Sequence, residues 1–491
     1  MHALHFGSIS ELVAEAQGHM DARRWSLCRG ILEQLYRMHY RPDVSAMYLG
    51  DVCFAEGDVS ASMRWHRKAL KLNGGLPQAL EHLIFVADAQ PKTKPEEAMA
   101  LRQEWWTRFG QRAYAVRQPC TNDRDPERVL RVGYVSGDFK WHSAAFAFAA
   151  IITGHTESIE PFYYSTLEPA KYDDLTRQWQ AGYAHTFRDV STLTAVELLH
   201  LIRKDAIDIL VDLAGWTGNN RLLTFAARPA PIQIQAWGYV LGTGCPAMDV
   251  VFADPIVASS DIRAQLTERV VDLPALLSYF PRPDLPEPSP LPCLSTETIV
   301  FGVFNRAVKV NTECVRVWRT ILERLPQATI RFQGFDYTPY VQEKIRQTLG
   351  AYGDRVSFSV GETDRAHKLA YQAIDLCLDP WPQTGGISTL DALWMGIPTV
   401  TLLGERMIQR ASASLLTVLG LEEFITTSPE AYISCAVAAV TTHRTELAAI
   451  RSGLRQGLRT SPIIVGYGDA VEAAYRTLWR EWCTNKLSVE S

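Results

Sequence analysis

Long apolar runs, paired cysteines and a large excess of one charge are all lacking in this sequence. The apolar run at residues 144–152 is far shorter than the ~20 residues that a transmembrane helix needs. The first residues, MHALH, show no basic segment followed by an apolar one, which is the pattern of a secretory signal peptide. Together these absences predict a cytoplasmic protein with no membrane partner.

Cysteine spacing and net charge exclude two further classes of protein. Nine cysteines are scattered along the 491 residues without a CxxC pair, so we expect neither a disulfide framework nor a zinc site. The net charge of −5 argues against binding nucleic acid by neutralising its phosphates, so no nucleic-acid partner is expected. The apolar fraction of 47% is ordinary for a globular protein, and the length predicts about three domains.

The motifs of metal-dependent and carboxylate-based catalysis do not stand out either. We find no catalytic pair of carboxylates, no metal-ligand cluster and no Ser-His-Asp arrangement in the sequence. An Asp-x-Asp motif occurs at Asp123 and Asp125, but it falls in a polar stretch and not at a strand end. We therefore expect no metal ion and no other cofactor.

The first region, residues 1–117, carries a helical repeat. Large and small apolar residues over 45–70 have the spacing of a tetratricopeptide (TPR) unit, a helix–turn–helix of about 34 residues. A degenerate earlier copy fits 12–16, and a third helical pair fits 76–109. Because two or three repeats are close to the minimum for a stacked core, we expect the array to lean on the next domain. A generic helical bundle is the alternative.

Two α/β regions follow the repeats. A polar linker at 118–127 precedes the first region, 128–285, and a run with six prolines at 281–292 separates it from the second, 296–491. Both alternate continuously apolar segments with helical ones, which predicts parallel sheets covered on both faces. The predicted strands are 129–135, 207–213, 232–236, 248–253, 299–304, 329–332, 356–359, 376–378 and 399–402. Two such domains leave a cleft at the carboxyl ends of their strands, where open α/β sheets bind ligands.

The loop after the predicted strand 376–378 is the strongest candidate for a phosphate site. Gly385 and Gly386 let a ligand approach the backbone closely, and the helix that follows offers free N–H groups to a phosphate. Asp391, one turn into that helix, is placed to reach a ribose hydroxyl. An ordinary strand–loop–helix connection is the alternative for any isolated Gly-Gly pair.

Further candidates follow other predicted strands. His142 follows the first strand of the first α/β region, where an imidazole suits proton transfer or hydrogen bonding near neutrality. Lys309 follows the first strand of the second region, where it can stabilise charge on a departing phosphate. His367 is able to stack on a base, and the Gly-rich segment 237–244 suits a flexible loop near the sugar or acceptor. A structural or solvated role is the alternative for each of them.

Four ordered segments resemble the O-linked N-acetylglucosamine transferase family and its bacterial and plant relatives, including protein O-fucosyltransferases. They are RVGYVSGDFKWHS (131–143), ARPAPIQIQAWGYVLGTG (227–244), FNRAVKV (304–310) and LDPWPQTGGISTLDALWMGIPTVTLLGERMIQRASASLL (378–416). They span about 280 residues behind helical repeats, as in the family. The resemblance implies an α/β GT-B fold, in which two Rossmann-like domains face a cleft behind an all-α TPR-like region. The nucleotide sugar then lies mainly on the second domain and the acceptor across the cleft.

The resemblance also implies an activity and assigns residues to it. The activity is inverting, metal-independent transfer of a sugar, foremost from UDP-N-acetylglucosamine, to Ser or Thr of a protein that the repeats recruit. The implied catalytic residues are His142 beside the sugar, Lys309 on the diphosphate and, by a looser match, His185. His367 matches a histidine that stacks on the base, and Asp391 an aspartate that binds the ribose. The full nucleotide-sugar site comprises Arg306, Lys309, His367, Gly385, Gly386, Ile387, Ser388 and Asp391, and the sugar or acceptor loop comprises Leu241, Gly242 and Thr243.

The chain departs from the N-acetylglucosamine transferases at the phosphate loop. Those enzymes typically have His-Thr-Thr where this chain has Gly386-Ile387-Ser388. They also have a Lys where this chain has Asp364 and a Gln where it has Arg306. The sugar therefore stays open among N-acetylglucosamine, glucose, fucose and a nonulosonic acid, and the base among uracil, guanine and cytosine. Transfer to Asn and a catalytically silent nucleotide-sugar-binding module are the competing functions. The proton acceptor is either a side chain or the donor phosphate, and the oligomeric state stays open.

Overall fold

A computed structural model describes residues 8–280 and 284–486 of the chain. Pro281 and Pro283 of the proline-rich run lie outside the described residues, as do the outermost residues of the first and last predicted regions. Within these ranges, none of the helices combines the length and the apolar character that crossing a bilayer requires.

The repeat region consists of three helix pairs and a short closing helix. They are α1 (Ile9–Asp21), α2 (Trp25–Arg37), α3 (Pro42–Ala55), α4 (Val59–Leu72), α5 (Pro77–Ala89), α6 (Pro95–Trp105) and α7 (Gln111–Ala115). The first helices of the pairs begin at Ile9, Pro42 and Pro77, which matches the predicted repeat of about 34 residues. Three of the helices, α3, α5 and α6, start with a proline, because the first turn has no intrahelical partner for the missing N–H.

The first sheet has seven parallel strands in the order β3-β2-β1-β4-β5-β6-β7. The strands are β1 (Leu130–Ser136), β2 (Ile159–Ser165), β3 (Phe187–Asp189), β4 (Ile209–Asp212), β5 (Ile232–Gln235), β6 (Val250–Ala253) and β7 (Arg269–Asp272). The helices between them are α8 (Ser143–Thr153), α9 (Asp174–Gly182), α10 (Ala195–Lys204), α11 (Leu222–Ala226) and α12 (Ser260–Arg263). All residues of β4, β5 and β6 are buried, as expected for central strands covered on both faces.

The second sheet has six parallel strands in the order β10-β9-β8-β11-β12-β13. They are β8 (Ile299–Val303), β9 (Ala328–Gln333), β10 (Val356–Ser359), β11 (Leu376–Leu378), β12 (Thr399–Leu402) and β13 (Ile425–Thr426). The accompanying helices are α13 (Thr312–Arg324), α14 (Pro339–Leu349), α15 (Asp364–Leu369), α16 (Ile387–Trp394), α17 (Ala411–Val418), α18 (Pro429–Ala439), α19 (Arg444–Thr460) and α20 (Tyr467–Cys483). The two sheets are the predicted pair of Rossmann-like units.

Two interfaces join these parts. The repeats pack on the first sheet region, where Trp105 meets Trp216 edge to face and the guanidinium of Arg102 donates to the carbonyl of Gly242 at 3.2 Å. The expected leaning of the array on its neighbour is thus present. The last helix, α20, crosses back from the second unit to the first, since Tyr475 stacks on Phe252 of β6. The predicted limits of the three regions stay a prediction.

Candidate active site

The candidate site lies where the strand order of each sheet reverses. In the first sheet β1 and β4 are neighbours, and in the second β8 and β11 are neighbours, so a crevice opens between the loops that follow these strands. His142 follows β1, Lys309 follows β8, and the Gly385–Gly386 pair follows β11. Helices α8 and α16, which begin right after His142 and Gly386, pack against each other. The two crevices therefore face one another.

The loop after β11 is held by a buried aspartate that sequence reasoning did not single out. The Oδ1 of Asp379 accepts the N–H of Gly385 at 2.8 Å, and its Oδ2 accepts the hydroxyl of Thr401 at 2.8 Å. The amide of Asn305, from the loop after β8, donates to Ser388 Oγ at 3.1 Å. These bonds fix the Gly-Gly turn against the neighbouring strand loop.

Gly385 is required for steric reasons. A Cβ at this position would overlap the Thr389 hydroxyl and lie 3.1 Å from Asp379 Oδ1. The backbone of the turn therefore lies so close to the polar side chains of Thr389 and Asp379 that a residue larger than glycine would displace them. The close approach that this glycine permits is to side chains of the chain itself, and the approach of a ligand to the backbone stays a prediction.

Helix α16 begins at this turn with its N-terminus open. Gly386 is its N-cap residue and, within the described residues, no side chain caps the helix. Ile387 and Ser388 are thus the first helical residues, and both are partly exposed. Uncapped N–H groups and the positive end of the helix dipole make this N-terminus chemically suited to an anion.

Lys309 brings a cation to the same turn. Its Nζ donates to the carbonyl of Thr384, directly before Gly385, at 2.9 Å. Burial lowers the pKa of Lys309 to about 8. The negative charge of Asp379 opposes this lowering, and the positive charge of Arg306 adds to it. The predicted diphosphate lysine and the predicted phosphate loop are therefore in direct contact.

An aromatic group lies beside the phosphate loop. Phe304 stacks on Tyr371 with ring centroids 3.7 Å apart, and His367 stands edge-on to Phe304 at 5.5 Å. The Tyr371 hydroxyl donates to the carbonyl of Ser388 at 3.1 Å, which ties this group to α16. Burial, followed by the charge of Lys368, lowers the pKa of His367, so its ring is neutral and suited to stacking.

Asp391 lies in a buried ion pair. One of its oxygens contacts the ammonium of Lys368, and the other accepts the Tyr279 hydroxyl at 3.0 Å. Lys368 and Asp391 are both buried. The carboxylate thus connects α15, α16 and the segment around Tyr279 that leads into the second unit. This structural role is separate from any contact with a ribose.

This arrangement makes Asp391→Asn strongly destabilising. The substitution removes the buried counter-charge of Lys368 and leaves it only the partly exposed carboxylate of Asp364, 3.8 Å away. Breaking a buried ion pair in this way costs up to about 3–5 kcal/mol. Denaturation followed by tryptophan fluorescence measures the loss. The Asp391→Asn/Lys368→Met double variant should recover part of it, and equal stability of the single variant and the parent chain would contradict the structural role.

His142 lies on the opposite wall and caps α8. Its Nδ1 accepts the N–H of Ala144 at 3.3 Å and lies 3.4 Å from Asp138 Oδ1. Burial lowers its pKa, which Asp138 opposes, so the ring is neutral at pH 7. The neutral ring has two tautomers here: with its proton on Nε2, Nδ1 accepts from Ala144, whereas with its proton on Nδ1, directed at Asp138, the cap bond is given up. Only in the second tautomer does Nε2 carry the lone pair that a proton-transfer role needs.

Arg306 faces His142 from the second unit. Its charge, together with that of Arg23 from the repeats, adds to the lowering of the His142 pKa. The Arg306 side chain is exposed and its Nε donates to Asp336 at 3.0 Å. The guanidinium therefore lies at the exposed edge of the cleft, near enough to His142 and Lys309 to lower the pKa of both.

Two predicted site elements do not belong to the cleft. His185 is exposed and precedes β3, an edge strand, so it lies toward the amino end of the sheet, away from the loops that form the crevice. Segment 241–243 is buried, because Gly242 accepts from Arg102 of α6 and Thr243 donates to Glu268. This segment is a structural turn against the repeats and not a flexible loop at the sugar.

The cleft thus contains seven of the eight predicted nucleotide-site residues in one continuous group, with Arg306 at its edge, and it adds others. Sequence reasoning missed Asn305, Asp379, Thr384, Tyr279 and Lys368. Asp379 directly follows β11 and Asn305 is the second residue after β8, which is the one signal that could have found them. The single cluster of metal-ligating side chains in the described ranges lies in the repeats.

Two facing parallel units with switch-point crevices, one of them carrying a phosphate loop and a lysine, define the two-domain GT-B class of glycosyltransferases. The sequence profile of glycosyl transferase family 41 matches residues 108–280 and 292–466. The chain belongs to this family. The expected family, GT-B fold and glycosyltransferase class are confirmed.

Relatives with known names agree with this assignment. The chain is 30% identical over 400 residues to the probable UDP-N-acetylglucosamine--peptide N-acetylglucosaminyltransferase SPINDLY of Arabidopsis thaliana, covering 78% of this chain and 43% of the relative. The SPINDLY protein of Hordeum vulgare is 32% identical over 396 residues, with 78% and 41% covered. The chain thus spans less than half the length of these relatives. A mutant O-GlcNAc transferase from Thermobaculum terrenum superposes with a TM-score of 0.89 at 31% identity, covering 96% of this chain and 90% of that one.

Proposed function

We propose that this chain is an inverting, metal-independent protein glycosyltransferase. It transfers a sugar from a nucleotide sugar, foremost UDP-N-acetylglucosamine, to Ser or Thr of a protein acceptor that the repeats recruit. One observation carries the proposal: Lys309, the Gly385 turn and the open end of α16 meet in one crevice, opposite His142 in the other. Such a cleft is suited to a diphosphate on one wall and an acceptor on the other.

The chemistry follows from the charges on the two walls. Inversion needs the acceptor hydroxyl in line with the anomeric carbon, and the facing crevices hold the two reactants in that relation. The leaving diphosphate gains negative charge, which the Lys309 ammonium and the N–H groups of Ile387 and Ser388 stabilise without a metal ion. We propose that Nε2 of His142 accepts the proton of the acceptor hydroxyl and that Asp138 stabilises the resulting imidazolium.

The donor and the compartment are supported by separate observations. The names of the SPINDLY relatives and of the superposed O-GlcNAc transferase favour N-acetylglucosamine on uridine diphosphate. The aromatic group of Phe304, Tyr371 and His367 lies beside the phosphate loop, which supports stacking of a base there. All nine cysteines are free thiols, which supports a reducing compartment such as the cytoplasm.

A ligand screen tests the donor assignment. Thermal-shift measurements against UDP, GDP and CMP sugars should show the largest rise in melting temperature with UDP-N-acetylglucosamine. A larger rise with a GDP or CMP sugar would replace the donor and leave the transferase proposal intact. No rise with any nucleotide sugar would contradict the transferase proposal itself.

Nucleotide binding should depend on pH through Lys309. Its pKa is about 8 in the free chain, and a bound diphosphate raises it, so binding is fully favourable below pH 8 and weakens as the pH rises further. We expect the affinity for UDP to fall by up to about tenfold per pH unit above that point, with uptake of a proton. Calorimetry in two buffers of different ionisation enthalpy measures both quantities. The Lys309→Arg variant stays charged and should lose this dependence, and an unchanged dependence would contradict the assignment.

A further inference from the structure

Three side chains from three repeat helices converge at one point. Asp51 lies on α3, His66 on α4 and His82 on α5, and one ligand atom from each lies within 4.8 Å of the others. Asp51 Oδ1 is 2.8 Å from His82 Nδ1 and 3.6 Å from His66 Nε2. The group lies at the junction of the second and third helix pairs, outside the cleft.

Hydrogen bonds do not account for the burial of the His66 side chain. Its side chain is 0% exposed, and neither ring nitrogen has a hydrogen-bond partner among the described residues. Leaving buried polar atoms unpaired is costly, so such atoms call for a partner. The contact of His82 Nδ1 with Asp51, although short, also lacks hydrogen-bond geometry.

The backbone makes room for this ring. A Cβ at Gly50 would lie 2.5 Å from Cε1 and 2.6 Å from Nε2 of His66. Glycine at this position of α3 therefore lets the imidazole lie against the helix next to Asp51. A helix interior disfavours glycine by roughly 1 kcal/mol, so its presence here is explained by the close approach of the ring.

The three ligand atoms have the chemistry of a transition-metal site. Imidazole nitrogens with one carboxylate oxygen suit Zn²⁺ and its neighbours, whereas Mg²⁺ and Ca²⁺ prefer oxygen ligands alone. Tetrahedral Zn²⁺ binds each ligand at about 2.0–2.1 Å, which places two ligand atoms about 3.3 Å apart. Binding therefore requires the 2.8 Å contact between Asp51 and His82 to widen and the 3.6 Å separation between Asp51 and His66 to shorten. Asp51 and His82 are 33% and 26% exposed, so an ion can enter and water can fill the fourth position.

We propose that Asp51, His66 and His82 form a binding site for one divalent transition-metal ion of the zinc class. The metal joins α3, α4 and α5 and provides a partner for Nε2, one of the two unpartnered ring nitrogens of His66. No short motif announces the site, because each ligand comes from a different helix, and it lies apart from the metal-independent transfer reaction.

The site is connected to the interface with the first sheet region. Glu81, next to His82 on α5, accepts the indole N–H of Trp105 at 3.0 Å and the amide of Asn220 at 3.2 Å. Asn220 belongs to the loop after β4. Fixing α5 by a metal ion therefore also fixes the surface on which the repeats meet the catalytic part.

Metal binding to the tag-free full chain tests the proposal. After treatment with a chelator, Co²⁺ titration should give visible d–d absorption that saturates at one ion per chain and is displaced by Zn²⁺. Saturating Zn²⁺ should raise the melting temperature by roughly 3–6 °C. Asp51→Asn and His82→Gln keep the partly exposed positions filled, so both should fold, as circular dichroism will show. Each should weaken Co²⁺ binding by more than the roughly 10–100-fold typical of a lost outer-shell contact.

His200→Gln, which removes an exposed histidine of α10, serves as the matched control and should bind Co²⁺ like the parent chain. Equal Co²⁺ affinity of the parent chain and Asp51→Asn would overturn the proposal. So would a parent chain that binds less than one ion at saturation, or a Zn²⁺-induced rise in melting temperature that persists in His82→Gln. In those cases the three side chains form an ion pair beside a buried ring and nothing more.

Discussion

Lys309→Ala is expected to lower kcat by about 100- to 1,000-fold, the usual effect of removing one preorganised donor to developing charge. Lys309 is the cation that contacts the Gly385 turn, through the carbonyl of Thr384. Its ammonium is partly desolvated, which strengthens its attraction to a leaving diphosphate. Kinetics with a saturating donor measure the loss, and the melting temperature should change little, since one hydrogen bond contributes about 1 kcal/mol.

The control for this variant is Lys171→Ala, which removes an exposed lysine from a turn of the first α/β unit. It should transfer sugar at the parent rate. Undiminished turnover of Lys309→Ala in the same assay would remove the role assigned to Lys309. It would also weaken the case that the crevice beside β8 holds the diphosphate.

His142 permits a test that separates catalysis from structure. The side chain caps α8 through Nδ1, and asparagine can provide the same capping acceptor but cannot take up a proton. We therefore expect His142→Asn and His142→Ala to lose about 10²- to 10⁴-fold in kcat alike. Only His142→Ala should also lose about 1 kcal/mol of stability, which is the value of an N-cap.

The pH profile adds an independent readout. Burial lowers the pKa of His142, so kcat/KM of the parent chain should fall only below about pH 6.5, where the ring gains its proton. This acidic limb should vanish in His142→Asn. A His142→Asn variant with parental turnover would show that the residue is a helix cap and that another group, such as the donor phosphate, accepts the proton.

The central strands of both sheets could be predicted because their residues are continuously apolar. Strands β1, β4, β5, β6, β8 and β11 all lie within or close to the predicted segments. β2 was missed because proline and glutamate interrupt its apolar pattern, and β7 because it is a partly exposed edge strand with charged ends. Burial on both faces is what makes a parallel strand visible in sequence.

The site could be predicted in part for a related reason. Residues that directly follow parallel strands meet at one edge of a sheet, which correctly associated Lys309 with Gly385. His185 failed this rule because it precedes its strand. The Gly242 segment failed because its glycines serve close packing and not mobility. Gly244 lies against the Arg102 side chain and Gly242 against Glu268 and Leu266, contacts that only the tertiary structure reveals. The Asp391–Lys368 pair likewise depends on a tertiary contact between α15 and α16.

The most direct test of a protein glycosyltransferase is to follow both products of the reaction. The chain is incubated with UDP-N-acetylglucosamine and a peptide library containing Ser and Thr, or with matched libraries carrying Ala or Asn at those positions. We predict release of UDP in step with the mass increase of one sugar, on the Ser/Thr library alone. Absence of any mass increase, or equal UDP release with all three libraries, would contradict the account.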